Sequence, residues 1–262
     1  MATTLSSAER ELIAGLLGFD PCSAAYQRLE GSSHHLLRFT LRGDLRVARW
    51  PKVARPSAIW WCELSVQQLA AQHGLAPDTL TLNPDHQSTL LTGAEPLRLG
   101  SREVAKLLQQ CHQLPKVSQK LDIAHAFRYW FDSCQHQHRP WTAQANQQKA
   151  EHAAQKFSEF ETRLVQSHGD CVATNVLQLG NRAVLIDWEY HCLAPLWWDL
   201  AIYAESQQLN SDAAHDLLQN YCQTQPSRET SSQLEAFRAI YAELAILWHC
   251  ATMHAPNHYQ TP

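Results

Sequence analysis

The chain carries the sequence HGDCVATN at residues 168–175 and, after a short gap, IDWEY at residues 186–190. Asp170 and Asn175 lie five residues apart, close enough to share one tight loop, and Asp187 follows twelve residues later. Phosphoryl transfer from a nucleotide needs a group that orients the attacking oxygen and oxygen ligands that hold a hard cation on the phosphates. This spacing of two carboxylates and an amide therefore predicts phosphoryl-transfer chemistry.

The segments around the motif predict how these side chains meet. Apolar residues at helical spacing between residues 150 and 164 predict a helix that leads into the loop. Residues 175–179 and 183–186 predict two strands joined by a tight turn, with Asp187 directly after the second. Such a hairpin would bring Asn175 and Asp187 to the same end of two paired strands, where one magnesium ion could bridge them.

Each residue of the motif, taken singly, also has an ordinary structural interpretation. Gly169 fits a turn, and the carboxylate and amide residues fit Asx turns or a helix cap. The complete pattern HGDxxxxN should occur by chance in about one chain per thousand. The combination and its order therefore favour the functional interpretation.

Together with PxxxDLA at residues 195–201, the two stretches resemble the aminoglycoside phosphotransferase and choline kinase superfamily. The sequence IDWEY is most similar to its choline, ethanolamine and bacterial thiamine kinase members. CHQLP at residues 111–115 is also similar to a Leu-His-x-Leu-Pro segment of that branch. The resemblance implies an α+β, two-lobed protein-kinase-like fold, with a small antiparallel-sheet lobe and a larger, mostly helical lobe.

The resemblance also implies a role for each matching residue. Asp170 would be the catalytic aspartate that accepts or orients the substrate hydroxyl proton, and Asn175 and Asp187 would ligate magnesium. Asp199 would tie the catalytic loop in place, and His168 would shape that loop rather than carry a proton. ATP and Mg²⁺ are the expected cofactors.

The chain is expected to divide near residue 95. Residues 1–95 would form a nucleotide-clamping lobe, and residues 96–262 a catalytic and substrate-binding helical lobe. Ser6 and Glu9 predict a capping box that opens a short helix. A later helix with one apolar face is expected to end at Gly74. Turn-bounded segments predict four strands, over residues 26–30, 36–42, 45–50 and 87–92.

The turn between the first two predicted strands contains Gly31, Ser32 and Ser33. In a nucleotide-clamping lobe these small residues would cover the phosphates, because they let backbone N–H groups approach closely. A hairpin turn without a ligand is an equally good interpretation, since the segment has one glycine and no Walker pattern.

Kinase-like folds usually carry a phosphate-contacting lysine on the third strand, and the aligned residue here is Arg49. A guanidinium can also bind phosphate, and with two hydrogen bonds. Arg46 is the alternative on the same strand, although choosing it requires a change of strand register. Glu63 on the following helix is the expected ion-pair partner of Arg49, and a solvent-facing glutamate is the alternative.

The substrate site is expected near Asp170, with Trp188, Glu189 and Tyr190 in its wall. Aromatic faces and carboxylates attract a quaternary or thiazolium nitrogen, which suits a cationic alcohol. Core packing is the alternative, because nine tryptophans in one chain will mostly fill space. The other candidate wall residues are Trp197, Trp198 and Trp248.

Composition limits the classes of partner. A net charge of −4 and a pI near 6.4 argue against a general nucleic-acid binder, which carries a basic face. No apolar run approaches the roughly 20 residues of a membrane span, and the N-terminus lacks the pattern of a signal peptide. The eight cysteines include no C-x-x-C pair, so a reduced, cytoplasmic protein is expected. The sequence does not indicate an oligomeric state.

Fifteen histidines raise the question of a metal site. The two closest pairs, His34 with His35 and His136 with His138, have no Cys or carboxylate companions at ligand spacing. They are therefore expected to be solvated loop residues.

Three functions are consistent with these observations. The preferred one is an ATP- and magnesium-dependent kinase that phosphorylates a hydroxyl of a choline-, ethanolamine- or thiamine-like alcohol. The second is an aminoglycoside phosphotransferase, which would need more acidic residues in the closing helices. The third is a nucleotide-binding protein that keeps the fold but catalyses no reaction. Arg49 in place of lysine and a phosphate-covering turn with one glycine favour this third function, whereas the intact motif argues against it.

Overall fold

The computed structural model describes residues 4–19, 25–31, 33–135, 143–159 and 163–252. These residues form two compact units. The first consists of the chain up to Leu97 together with Val176–Ile186, and the second begins with Arg98–Asn175 and resumes at Asp187. The chain thus leaves the first unit two residues beyond the predicted boundary at residue 95, and it returns there for the hairpin that follows the motif.

The first unit is built on an antiparallel sheet whose five strands lie in the order β1-β2-β3-β5-β4. The sequence predicted four of these strands and missed β4, a five-residue strand between the second helix and β5. The elements of this part are α1 (Ser7–Leu17), β1 (Tyr26–Leu29), β2 (His34–Leu41), β3 (Asp44–Pro51), α2 (Ser57–Gln72), β4 (Thr79–Asn83), β5 (Ser88–Thr92) and β6 (Glu95–Pro96).

Helix α1 begins at the predicted capping box. The side chain of Ser6 accepts a hydrogen bond from the Glu9 backbone, and the Glu9 carboxylate accepts one from the Ser6 backbone. Ile13 and Leu16, one turn apart, are buried in the core beside the sheet. This prediction is confirmed.

Strand β3 has residues on both faces of the sheet. Ala48 is fully buried in a hydrophobic core with Leu37 and Phe39 of β2 and with Ile13 of α1. Arg49, one residue later, points to the opposite face because side chains alternate along a strand. One strand therefore supplies both core packing and a partly buried charged group.

The second unit is mostly helical, and it also contains two short paired strands. Its elements are α3 (Ser101–Cys111), α4 (Ile123–Gln135), α5 (Ala143–Glu159), β7 (Leu164–Ser167), β10 (Cys192–Pro195), α6 (Trp198–Ser206), α7 (Ser211–Cys222) and α8 (Arg228–Thr252). The predicted hairpin, β8 (Val176–Leu179) and β9 (Arg182–Leu185), is present and pairs with β6 in the first unit. The predicted α+β class is confirmed, and no helix in the described part of the chain is long and apolar enough to cross a membrane.

The helix predicted to lead into the motif does not include Leu164. Helix α5 ends at Glu159, and Leu164 begins strand β7 instead of continuing the helix. The other three residues of β7 are buried. A four-residue strand that is buried on both faces has no polar–apolar alternation, so periodicity could not separate it from a helix end.

Candidate active site

The loop at residues 168–175 is anchored by the fully buried carboxylate of Asp199, which lies in the first turn of α6. Its two oxygens accept hydrogen bonds from the backbone N–H groups of His168 and Gly169, each at 2.9 Å. The carboxylate also lies 3.1 Å from Nε2 of His112, at the end of α3. One carboxylate therefore joins the loop to two helices.

Asp199 stays ionised although it is buried. Burial by itself would raise its pKa, but the hydrogen bond and charge of His112, the charge of His168 and the Gly169 N–H outweigh that effect. The net result is a pKa below the ordinary value. Asp199 is thus an anionic hydrogen-bond acceptor for the loop at neutral pH.

His168 and Gly169 give the loop its shape. His168 is fully buried, its ring packs edge-on against Trp188, and its Nδ1 accepts a hydrogen bond of 3.3 Å from the Asp170 N–H. Gly169 has a φ of +80°, and a Cβ at this position would lie 2.1 Å from the carbonyl oxygen of Tyr190. The backbone therefore requires glycine here for both conformation and space.

Asn175 holds Asp170. The amide Nδ2 of Asn175 donates to the Asp170 carboxylate at 2.8 Å and to the Asp170 carbonyl oxygen at 2.9 Å. Asn175 ends a single 3₁₀ turn and is buried, so this amide is fixed in place. Asp170 is consequently oriented by a side chain five residues further along the chain.

Asp187 lies directly before the short turn that follows β9, and its backbone is in the left-handed region, with φ 67° and ψ 65°. Such a conformation is rare for residues other than glycine and is more common at functional sites. Burial, followed by the negative charge of Asp187, raises the pKa of Asp170 to about 7, against the opposing effect of the Asn175 hydrogen bond. The three predicted residues therefore meet at one place in the second unit.

These residues fit a magnesium ion that keeps part of its water shell. The available donors are carboxylate and amide oxygens, which Mg²⁺ prefers. The repulsion that raises the pKa of Asp170 is the kind that a divalent cation relieves. No group of three or more His, Cys, Asp or Glu side chains in the described part of the chain could hold a metal alone. Two protein ligands completed by water and phosphate are in keeping with that finding.

Two tyrosines lie within the electrostatic influence of Asp170, Tyr190 and Tyr241. The hydroxyl of Tyr190 accepts a hydrogen bond of 3.3 Å from Trp248 Nε1, and burial and then the charge of Glu189 raise the pKa of Tyr190 well above its ordinary value. Burial also raises the pKa of Tyr241, with the charge of Asp170 as the next cause. Tyr241 therefore joins the predicted Glu189, Tyr190 and Trp248 beside the loop.

The other three tryptophans proposed as wall residues have different positions. Trp188 has no exposed surface and packs against His168, so it lies in the core below the loop. Trp198 is buried among aromatic rings of α5 and α8. Trp197 donates a hydrogen bond to Gln233. The burial of Trp188 and Trp198 favours the packing alternative for these two residues.

In the first unit, the expected ion pair between Arg49 and Glu63 is present at 2.7 Å. Glu63 is only 4% exposed, so the solvent-facing alternative is wrong. Glu63 also accepts a hydrogen bond of 3.0 Å from Arg55. Arg46 bonds to the exposed carboxylate of Asp44 and takes no part in this cluster.

The predicted phosphate-covering turn is described only in part, because Ser32 lies outside the described residues. A Cβ on Gly31 would lie 2.7 Å from the carbonyl oxygen of His34, so glycine is needed there for a close backbone approach. The side chain of Ser33 is buried and lies 2.7 Å from Nδ1 of His34. Whether these residues cover a phosphate stays a prediction.

The expectation that His34 is a solvated loop residue is wrong. His34 begins β2 and is buried, and burial and then the charges of Arg49 and Arg55 lower its pKa well below the ordinary value. His35 is exposed and stacks on Trp50. The pair His136 and His138 lies outside the described residues.

The sequence profile of the Phosphotransferase enzyme family matches residues 61–236. The chain belongs to this family. Protein LicA of Haemophilus influenzae is 30% identical to it over 111 residues, which make up 41% of this chain and 42% of that protein. The matched region is therefore less than half of this curated relative.

Two solved structures share the fold of this phosphotransferase-family chain. A choline/ethanolamine kinase family protein from Mesorhizobium loti gives a TM-score of 0.78 at 18% identity, over 96% of this chain and 88% of that chain. Choline kinase LicA from Streptococcus pneumoniae gives 0.76 at 16% identity, over 97% and 92%. The protein-kinase-like fold that the sequence implied is thereby established.

Proposed function

We propose that this protein is an ATP-dependent small-molecule kinase that phosphorylates a hydroxyl of a choline-, ethanolamine- or thiamine-like alcohol, and that it acts in the cytoplasm. The observation that carries the proposal is the meeting of Asp170, Asn175 and Asp187. A hydrogen bond of 2.8 Å joins the first two, and the charge of the third acts on Asp170. Membership of the phosphotransferase family supports the reaction class.

Asp170 is the proposed proton acceptor. The substrate oxygen attacks the γ-phosphorus of ATP, the bond to the bridging oxygen breaks, ADP leaves, and the hydroxyl proton passes to the Asp170 carboxylate. General bases are most effective when their pKa lies near the working pH, and the pKa of Asp170 is raised to about 7. The Asn175 amide fixes one carboxylate oxygen and so orients the other towards the substrate.

Asn175 and Asp187 are the proposed magnesium ligands, through the amide oxygen and the carboxylate. A bound Mg²⁺ would neutralise part of the charge on the nucleotide phosphates. Arg49 is the proposed phosphate contact from the first unit, and Glu63 its ion-pair partner. The left-handed backbone of Asp187 supports a functional rather than a packing role for its side chain.

A cationic alcohol is the proposed acceptor because of the groups beside Asp170. Tyr190, Tyr241 and Trp248 supply aromatic rings, and Glu189 supplies a carboxylate. Ring faces and carboxylates both attract a quaternary or protonated nitrogen. In such a substrate the cationic nitrogen would contact these groups and the hydroxyl would lie near Asp170.

A polycationic aminoglycoside is less well matched. Such substrates need several acidic side chains available for their amines, and three acidic residues of the closing helices bond within the protein. Glu205 and Glu235 both pair with Arg238, and Glu243 pairs with Lys149. These acids would have to leave existing partners to bind an antibiotic.

An ADP-release assay on a substrate panel tests the proposed function. The purified protein with magnesium and ATP is given choline, ethanolamine, thiamine, simple sugars or kanamycin, and mass spectrometry detects a phosphorylated product. ADP release with one of the three cationic alcohols is expected. Release with kanamycin alone would favour the antibiotic-modifying alternative, and nucleotide binding without release on any substrate would favour the non-catalytic one.

A further inference from the structure

A buried charged cluster lies on the α2 side of the sheet in the first unit. We call it the Arg49 cluster; it consists of His34, Arg49, Arg55 and Glu63. Glu63 Oε2 accepts a hydrogen bond of 3.0 Å from Arg55, and Glu63 Oε1 lies 2.7 Å from Arg49. Arg49 also lies 3.1 Å from Nδ1 of His34. Two guanidinium groups thus share one carboxylate.

The two arginines do not hold Glu63 equally. The contact from Arg55 has the geometry of a hydrogen bond, whereas Glu63 Oε1 has no aligned hydrogen-bond donor among the described residues. The contact from Arg49 is therefore a close approach of opposite charges without a directed N–H. Glu63 Oε2 thus has a directed donor in Arg55, and Glu63 Oε1 has a charge contact with Arg49.

The four residues of the cluster carry one more positive charge than negative charge. An arginine can only donate, so Nδ1 of His34 must be the acceptor in the contact with Arg49, and the ring is neutral. Two positive guanidinium groups and one carboxylate then sum to a net charge of +1. A cavity is lined by three members of the cluster, His34, Arg49 and Glu63, and by Trp60, Leu64, Gln67, Gln87 and Thr89. An anion at this place would be attracted rather than repelled.

Arg55 is held in place by a residue outside the cluster. The Gln87 amide oxygen accepts from the Arg55 backbone N–H at 2.9 Å, and the Gln87 amide nitrogen donates to the Arg55 carbonyl at 2.5 Å. Gln87 itself has a left-handed backbone, with φ 47°. Arg55 is 6% exposed, so its position is fixed by this two-bond contact and by burial. The Arg55 side chain therefore has a defined position inside the first unit and is not a surface group.

We propose that Arg55 is a positioning residue that neutralises Glu63 so that Arg49 can bond to a nucleotide phosphate. If Glu63 had Arg49 as its single partner, moving that arginine to a phosphate would leave a buried carboxylate without compensation, which is strongly unfavourable. Arg55 removes that cost and leaves one positive charge for the phosphate. The inference rests on the proposed function, and it adds a second arginine to the predicted pair.

Equilibrium binding of MgATP and of tripolyphosphate to the full-length protein tests the role of Arg55. The variants are Arg55→Met, Arg55→Lys and the double variant Arg55→Met with Glu63→Gln. The net charge of the cluster is +1 in the wild type, 0 in Arg55→Met and +1 in the double variant. Arg46→Met is the matched control. It also removes a guanidinium group from the first unit, but Arg46 bonds to Asp44 and lies outside the cluster.

Arg55→Met should weaken MgATP binding by about tenfold or more, because Arg49 then has to neutralise Glu63 and its own charge-assisted contact to phosphate is lost. The double variant should recover most of that loss, Arg55→Lys should stay within about threefold of the wild type, and Arg46→Met should change little. Thermal unfolding of each variant shows that it is folded. If Arg55 has only a structural role, Arg55→Met should lower the melting temperature, and the double variant should not recover the affinity for MgATP.

Unchanged binding in a folded Arg55→Met variant would overturn the proposal, as would a loss that the double variant does not recover. The second result would indicate that Arg55 contacts phosphate itself. The readout is binding, so a wild type that binds MgATP but phosphorylates no alcohol leaves this test intact while the proposed function fails. A wild type that binds neither MgATP nor tripolyphosphate overturns both.

Discussion

Two residues of the motif, Gly169 and Asp170, have local geometry that a single substitution should disrupt. Gly169 has a left-handed backbone and lies against the Tyr190 carbonyl oxygen. Asp170 has one carboxylate oxygen held by Asn175 and a pKa raised to about 7. Each of these features gives a direct prediction.

Replacing Gly169 with alanine should destabilise the protein and disorder the loop. The new Cβ would lie 2.1 Å from the Tyr190 carbonyl oxygen, and the backbone has a φ that alanine disfavours. We expect a loss of about 2–4 kcal/mol in the free energy of unfolding, together with loss of kinase activity. Urea unfolding measures the first effect. An unchanged denaturation midpoint would contradict the described geometry.

Replacing Asp170 with asparagine should stabilise the metal-free protein near neutral pH. The folded state raises the pKa of this carboxyl from 3.8 to about 7, so ionisation costs stability increasingly as the pH rises from about 4 to 7. Asparagine removes that cost and can still accept the Asn175 hydrogen bond. We expect a gain of roughly 1–3 kcal/mol above pH 7 and little gain near pH 4.

Thermal unfolding in EDTA between pH 4 and pH 8 checks this prediction. The difference in melting temperature between the variant and the wild type should grow as the pH rises. A difference that stays constant over this range would show that the carboxyl is not perturbed in the folded state.

The residues of the motif were easier to recognise from the sequence than the residues around the site. Residues 168–175 and Asp187 were recognisable because their order is specific. Arg55 and Tyr241 were missed, because an arginine before a proline and a tyrosine in an apolar helix stripe look like ordinary residues. Their contacts come from chain segments far apart in sequence, and no local pattern encodes such contacts.

At the element scale, helix α6 holds the loop through Asp199. Replacing this residue with asparagine should lower both stability and activity. An amide has one acceptor oxygen, so it cannot serve the N–H groups of His168 and Gly169 together with His112. We expect a loss of about 2–4 kcal/mol at neutral pH.

The pH dependence of that loss has a defined sign. The folded pKa of Asp199 lies below its ordinary value of 3.8, so its stabilising contribution is complete above about pH 4. The contribution disappears as the pH falls through the folded pKa. The stability difference between the variant and the wild type, followed by chemical denaturation, should therefore narrow below pH 4. A difference that widens in acid would contradict this account.

Element type was predictable where the apolar period was long, as in α1 and the helices of the second unit. It was not predictable for β7 and β10, which have four residues each and pair with one another across an intervening stretch of more than twenty residues. Pairing between distant short strands depends on tertiary packing rather than on local propensity. The predicted helix therefore included Leu164, which begins strand β7.

At the scale of the whole molecule, both proposed magnesium ligands lie where the chain passes between the two units. Asn175 is the last residue before the chain enters the first unit, and Asp187 is the first residue after it returns. The β8–β9 hairpin between them belongs to the first unit. The sequence predicted that this hairpin belongs to the second lobe. In the structure it belongs to the first unit, because β8 pairs with β6. That pairing joins distant segments and has no local sequence pattern.

Replacing Asp187 with alanine should weaken binding of magnesium and nucleotide together. The variant removes one of two proposed ligand side chains, so the apparent affinity for Mg²⁺ in the presence of ATP should fall by about tenfold or more. Nucleotide binding measured without magnesium should change much less. Equal magnesium dependence in the variant and the wild type would remove Asp187 from the ligand set.

The most direct test of the central claim is the turnover of an Asp170→Ala variant, measured with nucleotide binding on the same preparation. The account predicts a fall in kcat of about 100-fold to 10,000-fold with nearly unchanged MgATP affinity, because a general base acts in the transition state. An Asp170→Ala variant with the turnover of the wild type would contradict it.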